Sequence, residues 1–156
     1  MRLRIITVGS RQPSWVDEAV ADYRKRFRTP WRVELVELEA VPRTGGRSAD
    51  AALEREGERV LTALRERERV ILLDETGKSL STRELASRLE TLASSSPDLA
   101  LLIGGVDGHA PSVRVRAAES WSLSKMTLPH GLARVILIEQ LYRAFSLSQG
   151  HPYHRD

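Results

Sequence analysis

Cysteine is missing from all 156 residues, so disulfides, thiolate metal sites and cysteine nucleophiles are excluded, and a reducing compartment is compatible. No apolar run approaches the roughly 18 residues of a membrane span. The apolar stretch Leu3 to Val8 is too short for a secretory signal, so a soluble, cytoplasmic protein with no membrane partner is expected. A Walker-type GxxxxGKS/T loop is absent, and the first candidate turn, Gly9-Ser-Arg-Gln-Pro13, carries one glycine, which argues against a dinucleotide or nucleoside-triphosphate site. Metal ligands are also scarce: His151 and His154 have i, i+3 spacing but no further obvious partners, so no metal is expected.

What is present is ordinary globular composition, 41% hydrophobic and 29% charged, in a length suited to a single domain over residues 1–156. Charge is unevenly spread. Residues 1–31 hold seven Lys/Arg against three Asp/Glu, residues 32–103 eleven against fourteen, and residues 104–156 six against four. Of the 24 basic residues 21 are Arg, which suits phosphate contact and base stacking, although solvated helix faces in an Arg-biased sequence give the same count.

Leu3 to Val8 reads as a buried strand ending at Gly9-Ser10, followed by a helix that Ser14 would cap, with Val16, Val20, Tyr23 and Phe27 at helical spacing. Trp31 to Leu38 reads as a second strand, Asp50 to Leu64 as a helix weakened at Gly57, and Val70 to Asp74 as a buried strand. Ser81-Thr-Arg-Glu84 is a capping box, Leu99 to Ile103 another strand, and Pro111 to Ala118 a short helix. Trp121 to His130 is irregular. In the last helix, Leu132 to Leu147, eleven of sixteen residues are apolar or Ala, which points to burial on two sides and a subunit interface. Trp15, Trp31 and Trp121 read as core or interface residues. The alternation gives an α/β fold with a mostly parallel sheet flanked by helices, in which ligands bind beyond the carboxyl ends of the strands.

The glycines cluster late, in Leu101-Leu-Ile-Gly-Gly-Val-Asp-Gly108, where glycine permits close approach to a ligand or simply a tight turn. Three further stretches accompany it: Trp121-Ser-Leu-Ser-Lys-Met-Thr-Leu-Pro-His130, Glu139-Gln-Leu-Tyr-Arg-Ala144, and His151-Pro-Tyr-His-Arg-Asp156. With the Val8 to Trp15 opening, Gly57-Glu58, and Leu73-Asp74 before Gly77-Lys78, this combination resembles the RlmH (YbeA-like) ribosomal RNA methyltransferases of the SPOUT superfamily over the whole chain.

The resemblance implies a C-terminal trefoil knot, an S-adenosyl-L-methionine site and a homodimer. It also implies methylation of N3 of pseudouridine 1915 in 23S rRNA on the assembled ribosome. Carried over by position, Leu73, Gly105, Ser124, Lys125, Met126, Thr127, Leu128 and Pro129 would bind the cofactor, with Leu72, Gly104 and Leu123 as neighbours. Val106-Asp107 replaces a Pro-Glu common in the family, which removes a fixed φ and shortens the acid by one carbon.

Methyl transfer to a ring N3–H needs alignment of the nucleophile and a group to take a weakly acidic proton or stabilise the anion. His130, Arg143, Tyr153 and His154 are the catalytic candidates. His130 could equally cap the last helix. Arg143 could pair internally with Glu139, four residues earlier. Two other readings stay open: a non-catalytic ribosome-associated RNA-binding module of the same fold, and a small-molecule methyltransferase or other ligand binder.

Overall fold

The computed structural model describes residues 1–9, 11–46, 48–96 and 98–154, with only the backbone at His154. Strands β1 (Arg2–Val8), β2 (Arg32–Leu38), β3 (Arg69–Ser79), β4 (Asp98–Ile103) and β5 (Glu119–Ser122) form one parallel sheet in the order β2-β1-β4-β3-β5. Helices α1 (Ser14–Arg26), α2 (Ala49–Ala63), α3 (Thr82–Ser95), α4 (Pro111–Arg116) and α5 (His130–Ser148) alternate with the strands, and a 3-10 turn, Pro152–His154, closes the described chain.

Strand alternation divides the core between the two sheet faces. Leu3, Ile5, Ile71, Leu99 and Leu101 pack against α1, α3 and α5 through Val20, Leu89 and Leu137. Ile6, Val70, Leu72 and Leu102 pack against α2 and α4 through Val60 and Val113. The result is the sandwich that the strand-helix alternation predicts, with both faces covered.

Several local expectations change. Ser14 is the first helical residue, not the cap: Pro13 occupies that position with extended geometry and accepts the Val16 N–H at 2.9 Å. The Ser81-Glu84 capping box forms in full. Gly57 is a packing requirement, because a Cβ there would lie 2.6 Å from the Ala110 Cβ where α2 meets α4. β3 runs five residues past Asp74, with its pairing to β5 shifting between Leu73 and Lys78, and Gly77 passes so close to the Trp121 backbone that a Cβ would sit 2.6 Å from it. Part of the stretch expected to be irregular is β5 itself.

Trp31 and Trp121 are core residues, whereas Trp15 is 53% exposed on the first turn of α1. α5 starts at His130, two residues before the predicted start, and its burial also differs from expectation. Leu137, Ile138, Leu141 and Phe145 are buried within this chain, by the sheet and by α1 and α3, leaving Val135 and Ile136 half-buried. Its apolar circumference is therefore largely consumed inside the subunit. Among the described residues, no helix is long and apolar enough to cross a membrane.

Candidate functional site

A cavity of about 980 Å³ opens at the carboxyl ends of β1 and β4 and beside residues 73–76 of β3, between the glycine loop 104–108 and the segment 122–130. Leu73, Ile103, Leu123 and Leu128 give it apolar walls, and Gly9, Gly104, Gly105 and Ala133 keep it open. Ser124, Met126, Thr127 and His130 complete one side. Of the predicted cofactor residues, Leu73, Gly105, Ser124, Met126, Thr127 and Leu128 therefore line one space. Lys125 and Pro129 lie in the same segment, but the wall is made by their neighbours, and Leu72 is buried on the α2/α4 side of the sheet.

The two loops are held by short-range geometry. Gly108 has φ +79° and donates its N–H to the Gly105 carbonyl at 3.1 Å, while a Cβ on Gly104 would collide with the Gly108 backbone. Glycine at 104 is thus imposed by loop closure. A Cβ on Gly105 would point at Val8, itself a residue of the cavity lining, and at the Glu56 carboxylate, both 3.1 Å away, so a side chain there would press on these two neighbours. In the facing segment the Ser122 hydroxyl donates to the Ser124 carbonyl at 2.8 Å, and the Met126 N–H donates to the Ser124 Oγ at 2.9 Å.

Two carboxylates of the cavity lining, Asp74 and Asp107, are paired with arginines. Partial burial pushes the Asp74 carboxyl up, but hydrogen bonds from Thr76 and Arg114 outweigh it and hold the pKa at about 2. The buried His109 ring places Nε2 3.0 Å from the Leu73 carbonyl, and desolvation lowers its pKa, so it stays neutral. Asp107 receives Arg43 Nη2 at 2.7 Å, and Arg43 also grips the buried Glu56, which accepts the Val41 N–H. Burial and the nearby Arg134 lower the His130 pKa.

The remaining catalytic candidates stand elsewhere. Arg143 pairs with Glu139 at 2.6 Å, the internal pair that the spacing allows, and its guanidinium lies 5.0 Å from the Tyr153 ring centre. The Tyr153 hydroxyl is 3.0 Å from that of Tyr23 and 3.3 Å from Glu139 Oε1; burial, then the Tyr23 contact, raises its pKa. None of these side chains lines the cavity of its own chain. The side chain of His154, and Arg155 with it, lie outside the described residues.

The family profile described as "Predicted SPOUT methyltransferase" matches residues 1–154. The chain belongs to the SPOUT methyltransferase family. Among curated proteins, it is 47% identical over 156 residues to the "Ribosomal RNA large subunit methyltransferase H" of Methylibium petroleiphilum, covering 100% of both chains. It is 48% identical over 155 residues to the protein of that name from Xanthomonas oryzae pv. oryzae, covering 99% of each.

A SPOUT methyltransferase requires a methyl donor, and the lining suits one without phosphates. Its walls are apolar and glycine-rich, and Arg114, the arginine in the lining, is already engaged by Asp74. Among the described residues, no group of three or more His, Cys, Asp and Glu comes together to hold a metal ion.

Sequence reasoning missed His109, Glu56 and Arg134. A signal existed for two of them: Glu56 interrupts the Ala52-Val60 buried stripe at i, i+4 spacing, and Arg134 is the arginine that α5 actually buries, at 1% exposure. A buried arginine on a largely apolar helix demands a partner, and Arg134, unlike Arg143, has no acidic residue four positions before it.

Proposed function

We propose that this SPOUT methyltransferase transfers a methyl group from S-adenosyl-L-methionine to N3 of pseudouridine 1915 in 23S rRNA on the assembled ribosome, as a cytoplasmic homodimer that needs no metal. The observation that carries the reading is one cavity bounded by both late loops, in a chain alike end to end to proteins named for large-subunit rRNA methylation. The cofactor, when bound, supplies an electrophilic methyl group. Leu73, Gly105 and the stretch Ser124, Lys125, Met126, Thr127, Leu128 and Pro129 would hold it, within the knot that the family resemblance implies.

The protein's work is then positioning and proton management. His130 stands on the cavity wall, but Arg143 and Tyr153 are held on the α1/α5 face by Glu139 and Tyr23. They can serve the reaction only at the cavity of another subunit. The reading therefore gives each site two chains: a cavity from one, and Arg143, Tyr153 and His154 from the other to orient the base, hold phosphate and accept or stabilise the N3 proton.

Methyl transfer from labelled cofactor to ribosomes lacking this modification, with mass mapping of the rRNA, tests the function. Label at one 23S pseudouridine is expected; ribosome binding without transfer would favour the non-catalytic module. Sedimentation at micromolar concentration should give a dimer, with half-buried Val135 and Ile136 of α5 in the contact. A monodisperse monomer would overturn the two-chain site.

A further inference from the structure

Arg134, in the second turn of α5, is 1% exposed, yet its anionic partner Glu37 is 34% exposed. An ion pair of that kind could form in solvent without burying the cation. Burial here directs the guanidinium to two more groups. Nη1 donates to Glu37 Oε1 at 2.6 Å, while Nη2 donates to the Gly9 carbonyl and lies 3.1 Å from His130 Nε2. The Nε atom is buried and, among the described residues, finds no partner, so the side chain is not placed to satisfy itself.

A guanidinium has donors only, so its contact with Nε2 makes that atom the acceptor and, in a neutral ring, puts the imidazole proton on Nδ1. Gly9 and His130 both line the cavity, and they adjoin: a Cβ on Gly9, whose φ is +109°, would stand 3.8 Å from His130 Nε2. One buried side chain thus joins the end of β1, β2 and the start of α5 behind a single wall.

We propose that Arg134 is a positioning residue for the cofactor cavity: it fixes His130 as the neutral Nδ1–H tautomer and holds that ring and Gly9 as one rigid wall. The ring's remaining lone pair is occupied, so the N3 proton passes to another group. The inference rests on the proposed function only for the identity of the ligand; the tautomer belongs to the free protein.

The test is nitrogen-15 NMR of the histidine rings in the intact protein near neutral pH, paired with calorimetry of S-adenosylmethionine. Wild-type His130 is expected to show the Nδ1–H pattern. Arg134→Met should convert it to Nε2–H or a mixture and weaken cofactor binding at least about tenfold. Arg134→Lys should restore part of both. Glu37→Gln, which removes the ion pair but not the contact with the ring, should lower thermal stability and leave tautomer and affinity within about twofold, so that lost stability by itself does not account for the effect of Arg134→Met. A wild-type Nε2–H pattern overturns the proposal even if Arg134→Met does not fold, and so does an Arg134→Met protein with unchanged tautomer and affinity. Failure of the wild type to bind the cofactor would instead overturn the proposed function, with the tautomer result standing apart.

Discussion

Deleting residues 151–156 is expected to reduce methylation of ribosomes on the order of a thousandfold, the scale of losing general acid-base and positioning groups, while dimerisation and cofactor binding persist. The reason is location. Tyr153 stacks edge-on against Tyr142 at 4.7 Å and hydrogen-bonds Tyr23, outside the lining of its own cavity. Removing it takes nothing from the cofactor walls. The decisive measurement mixes the truncated subunit with a Gly105→Val subunit. The first has a sound cavity and no tail, the second a tail and a damaged cavity, so the heterodimer should regain about one working site per dimer. If subunits exchange and the mixture stays inactive, the tail acts in its own chain or not at all.

Gly105→Val should by itself weaken S-adenosylmethionine binding about ten- to hundredfold, the affinity equivalent of the roughly 1–3 kcal/mol that overpacking costs. The branched side chain would press on Val8 and on Glu56, whose carboxylate is already engaged by Val41 and Arg43. Contact that tight requires Val8, Glu56 or the loop to shift, and because Val8 and Gly105 both line the cavity, its shape changes with them. Gly105→Ala should have a smaller effect in the same direction, since its Cβ meets both neighbours at 3.1 Å. Calorimetry giving wild-type affinity for the valine variant would sink the assignment of this loop to the cofactor.

The layered α/β architecture was readable because buried parallel strands announce themselves: Leu3 to Val8, Val70 to Leu73 and Leu99 to Ile103 are short apolar runs bounded by polar or glycine residues. β5 was not readable. It is four residues long, half-buried at Glu119 and Ser120, and gains its identity only from pairing with β3. The cavity loops were legible through their glycines and through the family resemblance. The reason for each glycine was not, because Gly104 answers to Gly108 and Gly57 to Ala110, contacts that cross the fold. The same holds for the charges. Local spacing exposes Glu139-Arg143, but nothing local tells that Arg134 reaches back to Gly9 and Glu37, or that Glu56 gathers Val41 and Arg43.

The link from Arg43 to Asp107 gives the glycine loop a dependence on ionic strength. Where family members carry Pro-Glu, the backbone ring itself stiffens the loop. Here Val106 is 84% exposed and contributes no such restraint, and the loop is tied down by a carboxylate 37% exposed against a guanidinium 23% exposed. Salt screens a half-exposed ion pair and leaves a pyrrolidine ring untouched. Cofactor affinity in this protein should thus fall more steeply with added salt than in relatives with the proline, so that the solution, as well as the sequence, sets how firmly this loop closes.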